Sequence, residues 1–328
     1  MTEINDVYTF MDMLTGYQPA MLIMAAENLR LYDAVSTEPR PVADIASDLG
    51  ADADSLQPVL TSLARLGLLR ESNEGFATTP FAAEHLGEGR DLALVVQKEE
   101  YFARAWLSLD EVTRTAEPAL EPWRSRLQTQ PDVAEMFLAA LNVLAEHVGP
   151  KLWELPELAP GKRVLDVGGG FGFYARRLVA AGSNVVLVDL PELLSAIGQR
   201  LEDLPDGSVE LIAADVLSER SCGVDPGSID TALVSHMLHD LSVDAGTELL
   251  RRVHTAIRPG GELVVNDFAG DSGPGAFGPM FDVMMRVETG GAAHELSTLL
   301  SMVQDAGFEH AHRHELQEPL TVIKATRV

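Results

Sequence analysis

Val164-Leu-Asp-Val-Gly-Gly-Gly-Phe-Gly-Phe173 decides the reading of this chain. An apolar run that stops at an acid and breaks into glycines is the end of a buried strand turning into a helix. The same grammar repeats on both sides of the quoted stretch. Arg163–Val167 reads as a strand, Phe171–Ala181 as a helix, Asn184–Asp189 as a strand and Pro191–Arg200 as a helix. Val209–Ala213 and Ile229–Ser235 read as strands, Val243–Ile257 as a helix and Glu262–Asp267 as a strand. This alternation predicts an α/β fold with a Rossmann-like, doubly wound sheet. After a helix over Glu295–Ala306 come two extended runs, Phe308–His314 and Leu320–Thr326. The link between them is too short for a parallel crossover, so they predict a C-terminal antiparallel hairpin at the sheet edge.

Upstream the pattern is helical. Residues 91–155 read as helices interrupted by Pro118, Pro122 and Pro131. Ala20–Ala34 has the period of one buried helix, Val42–Leu49 lies between Pro41 and Gly50, and Asp54–Leu66 ends at Gly67. Leu68–Ala77 then turns at Ser72–Gly75, completing a winged-helix pattern. Such a module often grips DNA, which raises a non-catalytic, ligand-sensing regulator as the competing class. Charge argues against it: residues 1–90 carry 5 Lys and Arg against 14 Asp and Glu. The helix Asp54–Leu66 holds one Arg and one Asp, too little to hold phosphates. The division expected is therefore a dimerisation domain over residues 1–90, linking helices lining a substrate pocket over 91–155, and a nucleoside-binding domain over 156–328. Met11, Met13, Met21 and Met24 suit an apolar dimer surface and ordinary core packing equally well.

Composition bounds the rest. The 328 residues are 46% hydrophobic and 23% charged, as in ordinary soluble globular proteins. A net charge of −26 disfavours nucleic acid and anionic membrane as partners. No apolar run reaches the roughly 18 residues of a membrane span. Met1–Asp6 carries Glu3 and Asp6 without a basic run, so no secretion signal is expected, and the single Cys222 cannot form an internal disulfide. A cytoplasmic protein is expected.

The glycine loop selects its ligand by what it lacks. Gly168, Gly170 and Gly172 spell G-x-G-x-G, but the dinucleotide fingerprint wants a small residue where this chain has Phe173, which disfavours NAD. No Gly-Lys-Ser/Thr follows, so a nucleotide phosphate loop is absent too. Asp166 puts a carboxylate at the strand end, suited to a cationic ligand. Asp189 ends the next strand, where an acid can accept from ribose hydroxyls, and Asp215 follows the third, where one can receive an adenine amino group.

The glycine motif, the spaced acids and the terminal hairpin resemble class I S-adenosylmethionine-dependent methyltransferases. With the winged helix and linking helices included, the whole chain is similar to small-molecule O-methyltransferases of the caffeate and hydroxyindole type. The resemblance implies S-adenosylmethionine as cofactor, held by Asp166, Gly168, Gly170, Asp189, Leu190, Asp215, Val216 and Ser235, and a homodimer formed through the N-terminal domain. Val234-Ser-His-Met-Leu-His-Asp-Leu-Ser242 resembles the family's Leu-His-Asp-Trp motif, which would make His239 a general base and Asp267 its brace.

Two positions depart from that pattern. Leu241 replaces the Trp, and Gly290-Gly291 is followed by Ala292-Ala293 where the family has a second bracing Glu. His294 stands nearby instead, so His239, Asp240 and His294 form a candidate two-histidine, one-carboxylate set for zinc, iron or nickel. That combination resembles the metal-dependent 2-oxo-acid C-methyltransferase branch of peptide-antibiotic pathways, closest to the etamycin-type enzyme acting on 4-methyl-2-oxopentanoate. The implied reaction is methylation at C3 of a small 2-oxo acid chelated by the metal, with His236 or a metal-bound water taking the C3 proton. The alternative is O-methylation of a phenolic or polyketide molecule with His239 as a plain base. Arg104, Arg126 and Arg286 lie in segments that line the family's substrate pocket and could meet a carboxylate. His310, His312 and His314 alternate along a strand and would share one solvated face.

Overall fold

A computed structural model describes residues 4–316 and 319–328. Residues 1–3, part of the stretch read for a secretion signal, lie outside the described residues. The chain divides into two compact units, one running to Arg104 and including Glu135–Val143, the other comprising Ala105–Ala134 and Leu144–Val328.

In the first unit, helices Val42–Leu49 and Ala53–Arg65 precede a two-stranded wing, β1 (Leu69–Ser72) and β2 (Gly75–Thr78). Local chemistry sets their limits. Gly50 takes a left-handed φ of 62° to end the first helix, and Asp52 caps the second by accepting from the Ser55 amide at 2.8 Å. Leu31, Ile45, Leu60, Leu63 and Phe76 form the core. The single helix expected over Ala20–Ala34 is two, Tyr17–Asn28 and Leu31–Ala34, broken where Arg30 turns left-handed at φ 54°. The break lets Glu27 and Asp33 both accept amide protons, from Gly87 and Glu88. Helix Val7–Leu14 buries none of its residues and exposes Tyr8, Phe10, Met11 and Met13, whereas Met24 belongs to the core.

The second unit is built on seven strands: β3 (Arg163–Val167), β4 (Asn184–Asp189), β5 (Val209–Ala213), β6 (Ile229–Ser235), β7 (Ile257–Phe268), β8 (Glu309–His314) and β9 (Leu320–Thr326). Their order is β5-β4-β3-β6-β7-β9-β8. The first five run parallel, and the hairpin β8–β9 closes the sheet antiparallel, as its short link requires. Val164, Leu165, Val186, Val188, Leu263 and Val265 are buried, which is why these strands read as near-continuous apolar runs. The strand order reverses between β3 and β6, and ligands of open α/β sheets bind in the crevice at that switch point. Both the glycine turn and the histidine motif begin at these two strand ends. A bulge at His310, where φ is 58°, interrupts the pairing of β8 with β9. The expected one-faced ladder of His310, His312 and His314 is therefore broken, because an extra residue in one strand disturbs the two-residue alternation.

Candidate active site

The turn after β3 is made by glycines that the chain cannot replace. Gly168, Gly170 and Gly172 all have left-handed φ values, and the longer turn delays the next helix to Phe173–Ala180. At Gly169 a Cβ would lie 2.7 Å from Leu187 Cγ and 2.9 Å from Asp166 Oδ2. Asp189 fastens the loop: its Oδ2 accepts from the Gly170 amide at 2.8 Å and its Oδ1 from the Leu190 amide at 2.7 Å. Asp166 is buried beneath this cradle with its Oδ2 unpartnered. Burial first, and the charge of Asp189 second, push its pKa up to about 7. A buried carboxylate with a free oxygen is unstable alone and favours a ligand with a cationic amino or sulfonium group, so these residues fit S-adenosylmethionine.

Asp215, read as the adenine acceptor, already has protein partners. It accepts from the Leu217 amide at 3.1 Å and the Ser218 hydroxyl at 2.6 Å, and pairs with Arg124 at 2.8 Å. The Val216 carbonyl accepts from Arg252, and Ser235 Oγ accepts from Asn266 Nδ2 at 2.9 Å.

Across the switch point, the chain leaves β6 and forms the short turn Leu238–Asp240. Asp267, buried near the end of β7, receives the first two amides of this turn. Its Oδ2 accepts from the amides of Leu238 (3.0 Å) and His239 (3.3 Å), and its Oδ1 from the Phe268 amide (2.8 Å). Oδ1 also lies 2.6 Å from His239 Nδ1. That contact fixes the ring and its tautomer, leaving Nε2 as the reactive nitrogen, 3.8 Å from Asp240 Oδ1. Burial opposes a charged ring, but Asp267, Asp240 and Glu288 outweigh it and push the His239 pKa up to about 9.

Glu288 escaped the sequence reading. A bracing Glu was sought two residues after Gly290-Gly291, yet the buried acid near His239 stands two residues before Gly290, at the end of helix Phe277–Glu288. An acid in an otherwise apolar helical stripe was the signal that could have found it. Around the histidines stands an aromatic wall. Phe281 meets the His239 ring edge-on at 5.3 Å, and Phe268 lies 4.6 Å from Phe281 and 5.0 Å from the ring of His236. Burial pushes the His236 pKa down to about 4, so this ring is neutral.

The candidate metal set does not converge. His294 directs its Nε2 to the Leu241 carbonyl, 2.8 Å away. Among the described residues, His239, Asp240 and His294 do not all three bring donor atoms within 4.8 Å of one another, whereas His236, His239 and Asp267 do. In that second group Asp267 is saturated by amide donors, so the residues as arranged do not fit a metal. The arginines separate as well. Arg104 is 77% exposed and pairs with Glu100, and Arg286 is exposed beside Asp282. Arg126, by contrast, is 3% exposed, stacks on Trp123 at 5.1 Å and has an unpartnered Nε. Its helix, Trp123–Thr129, is tied towards the site by the Arg124–Asp215 pair and by the preceding Ala119 amide, which donates to the Val287 carbonyl at 2.8 Å.

A glycine cradle beside a buried, braced histidine suits the transfer of a group from a nucleoside cofactor. Comparison with known proteins names the group. Residues 121–309 match the family model of the O-methyltransferase domain, and residues 11–88 that of the O-methyltransferase dimerisation domain. The chain belongs to the O-methyltransferase family and is an S-adenosylmethionine-dependent methyltransferase. It is 26% identical to the phenazine O-methyltransferase PhzM of Lysobacter antibioticus, over 91% of this chain and 89% of that protein. It is 26% identical to the mitomycin biosynthesis 6-O-methyltransferase of Streptomyces lavendulae, over 91% and 88%. Human N-acetylserotonin methyltransferase, solved in complex with SAM, shares the fold with a TM-score of 0.84 at 19% identity, covering 100% of this chain and 99% of that one. PigF, solved with SAH, does so with a TM-score of 0.87 at 21% identity, covering 99% and 100%. No helix of the described residues is long and apolar enough to cross a membrane.

Proposed function

We propose that this enzyme methylates a hydroxyl oxygen on a small aromatic molecule of antibiotic-type secondary metabolism. The observation that carries the reading is the 2.6 Å contact between His239 Nδ1 and Asp267 Oδ1. S-adenosylmethionine, when bound, supplies an electrophilic methyl group on a sulfonium. His239 Nε2 accepts the hydroxyl proton as the substrate oxygen forms its bond to the methyl carbon and the carbon–sulfur bond breaks. Asp267 keeps the ring oriented and stabilises the imidazolium that results, and Glu288 and Asp240 add to that stabilisation. Phe268, Phe277 and Phe281 offer an apolar aromatic wall to a substrate ring. The activities named for the phenazine and mitomycin relatives agree with this class of acceptor.

One observation favours a second reading. Buried Arg126, with its free Nε, suits a carboxylate, as in methylation of C3 of a 2-oxo acid such as 4-methyl-2-oxopentanoate. That reaction calls for a metal on His239, Asp240 and His294, whose donors would first have to converge, so no step is routed through one. The assay that tests both measures methyl transfer to hydroxylated aromatics and to 2-oxo acids, with and without a chelator. The expected result is aromatic O-methylation insensitive to chelation. Chelator-sensitive transfer to 2-oxo acids alone would replace this reading with the second.

In the proposed enzyme, a cytoplasmic homodimer, residues 1–90 serve dimerisation, 91–155 line the substrate pocket and 156–328 hold the cofactor. Asp166, Asp189 and the glycine loop would hold the cofactor, with Leu190, Asp215, Val216 and Ser235 around it.

A further inference from the structure

His236 is held as firmly as the base beside it, though by different means. Its backbone has a φ of 54°, a left-handed conformation that a bulky side chain rarely adopts and that marks a constrained site. Its amide donates to the Asn266 carbonyl at 2.8 Å. The wholly buried Asn266 side chain then shares its Nδ2 between Ser235 Oγ at 2.9 Å and His236 Nε2 at 3.2 Å. The ring thus stands at the end of a polar chain from Ser235 through Asn266. Phe268 and His239 flank it, with ring centroids 5.0 and 6.0 Å away. With Asn266 Nδ2 donating to Nε2, the proton of the neutral imidazole sits on Nδ1. None of the hydrogen bonds among the described residues uses that Nδ1.

We infer that His236 donates its Nδ1–H to the substrate oxygen that His239 deprotonates, with Asn266 fixing the tautomer that makes this possible. The inference rests on the methyl-transfer reading of the site. One oxygen would lie between the two rings, whose centroids are 6.0 Å apart, within hydrogen-bonding reach of both. His236 keeps its proton throughout: the hydroxyl proton passes to His239, the methyl group to the oxygen, and the hydrogen bond from His236 strengthens as negative charge develops there. His236 is then a donor rather than a second base.

The tautomer is read by long-range nitrogen–proton NMR on the full-length, histidine-labelled protein with S-adenosylhomocysteine bound. The expected spectrum shows His236 neutral and protonated at Nδ1. His236→Asn suits the left-handed backbone but is too short to reach the substrate. It should lower kcat for a hydroxylated aromatic on the order of 100-fold with KM little changed. S-adenosylhomocysteine affinity by calorimetry should stay at the wild-type value, and His236→Gln, with a longer amide donor, should recover part of the loss. A proton on Nε2, or wild-type kcat in His236→Asn, overturns the assignment. Failure of the wild type to methylate any hydroxylated aromatic instead overturns the reading on which it rests, and the NMR result tells the two failures apart.

Discussion

Gly291 lies so close to His239 that a Cβ on it would fall 2.1 Å from the histidine's carbonyl oxygen. The next amide, Ala292, donates to that same oxygen at 2.8 Å. The loop after helix Phe277–Glu288 is thus a clamp on the turn that carries the base. Gly291→Ala should push the turn outward and lower kcat about 10- to 100-fold, since sub-ångström placement governs such steps. S-adenosylhomocysteine binding, measured by calorimetry, should be unaffected.

The raised pKa of His239 gives the reaction a pH dependence of known sign. A base must be neutral to act, and this ring, ordinarily half-protonated near 6.5, holds its proton up to about 9 in the empty site. kcat/KM should therefore rise close to tenfold per pH unit below about 9 and level off above it. Asp267→Asn removes the main source of that rise. The limb should move to lower pH while the plateau falls on the order of 100- to 10,000-fold, because the ring loses both its orientation and its charge partner. A flat profile in the wild type would mean that His239 is not the base.

Asp166 links cofactor binding to stability. Its pKa is raised from 3.8 to about 7, so between these values the folded state binds a proton that the unfolded chain does not. That stabilisation is complete below the unfolded value and is lost as the pH rises through about 7. At pH 8 the cofactor-free protein carries a buried, unpaired carboxylate. Asp166→Asn should then melt several degrees above the wild type at pH 8 without cofactor, with the gap shrinking towards pH 5. The same variant should bind S-adenosylhomocysteine at least about tenfold more weakly, having lost a charged hydrogen-bond acceptor. Scanning calorimetry and titration calorimetry check the two halves.

His294 separates the two chemistries. In the O-methyltransferase reading its ring only fastens the loop to the Leu241 carbonyl. His294→Ala should then cost about 1 kcal/mol of stability and change turnover by only a few fold. Wild-type protein should contain metal well below one equivalent by mass spectrometry. Loss of stoichiometric metal together with all turnover in His294→Ala would establish the 2-oxo-acid chemistry instead.

Much of this protein is written in short-range pattern. Alternating apolar runs and helical periods fix the strands, since a run such as Val185–Val188 can be buried on both faces only inside a parallel sheet. The glycines of 168–172 and the acids ending β3 and β4 are equally legible, because turn geometry and strand-end position are local properties. The pairing of His239 with Asp267 was expected from the motif. The second acid was not: Glu288 adds its charge to the surroundings of His239 through the placement of its helix, and nothing in the spacing around Gly290-Gly291 announces this. Likewise His294 stands where a ligand was expected, yet its ring turns to Leu241, and Asp215 is engaged by Arg124, distant in sequence. The break at Arg30 also answers to partners elsewhere in the chain, Gly87 and Glu88. Sequence periodicity says which face of an element is buried. Which atom a polar side chain finally meets depends on segments brought together from far apart, and that is settled only by the tertiary packing.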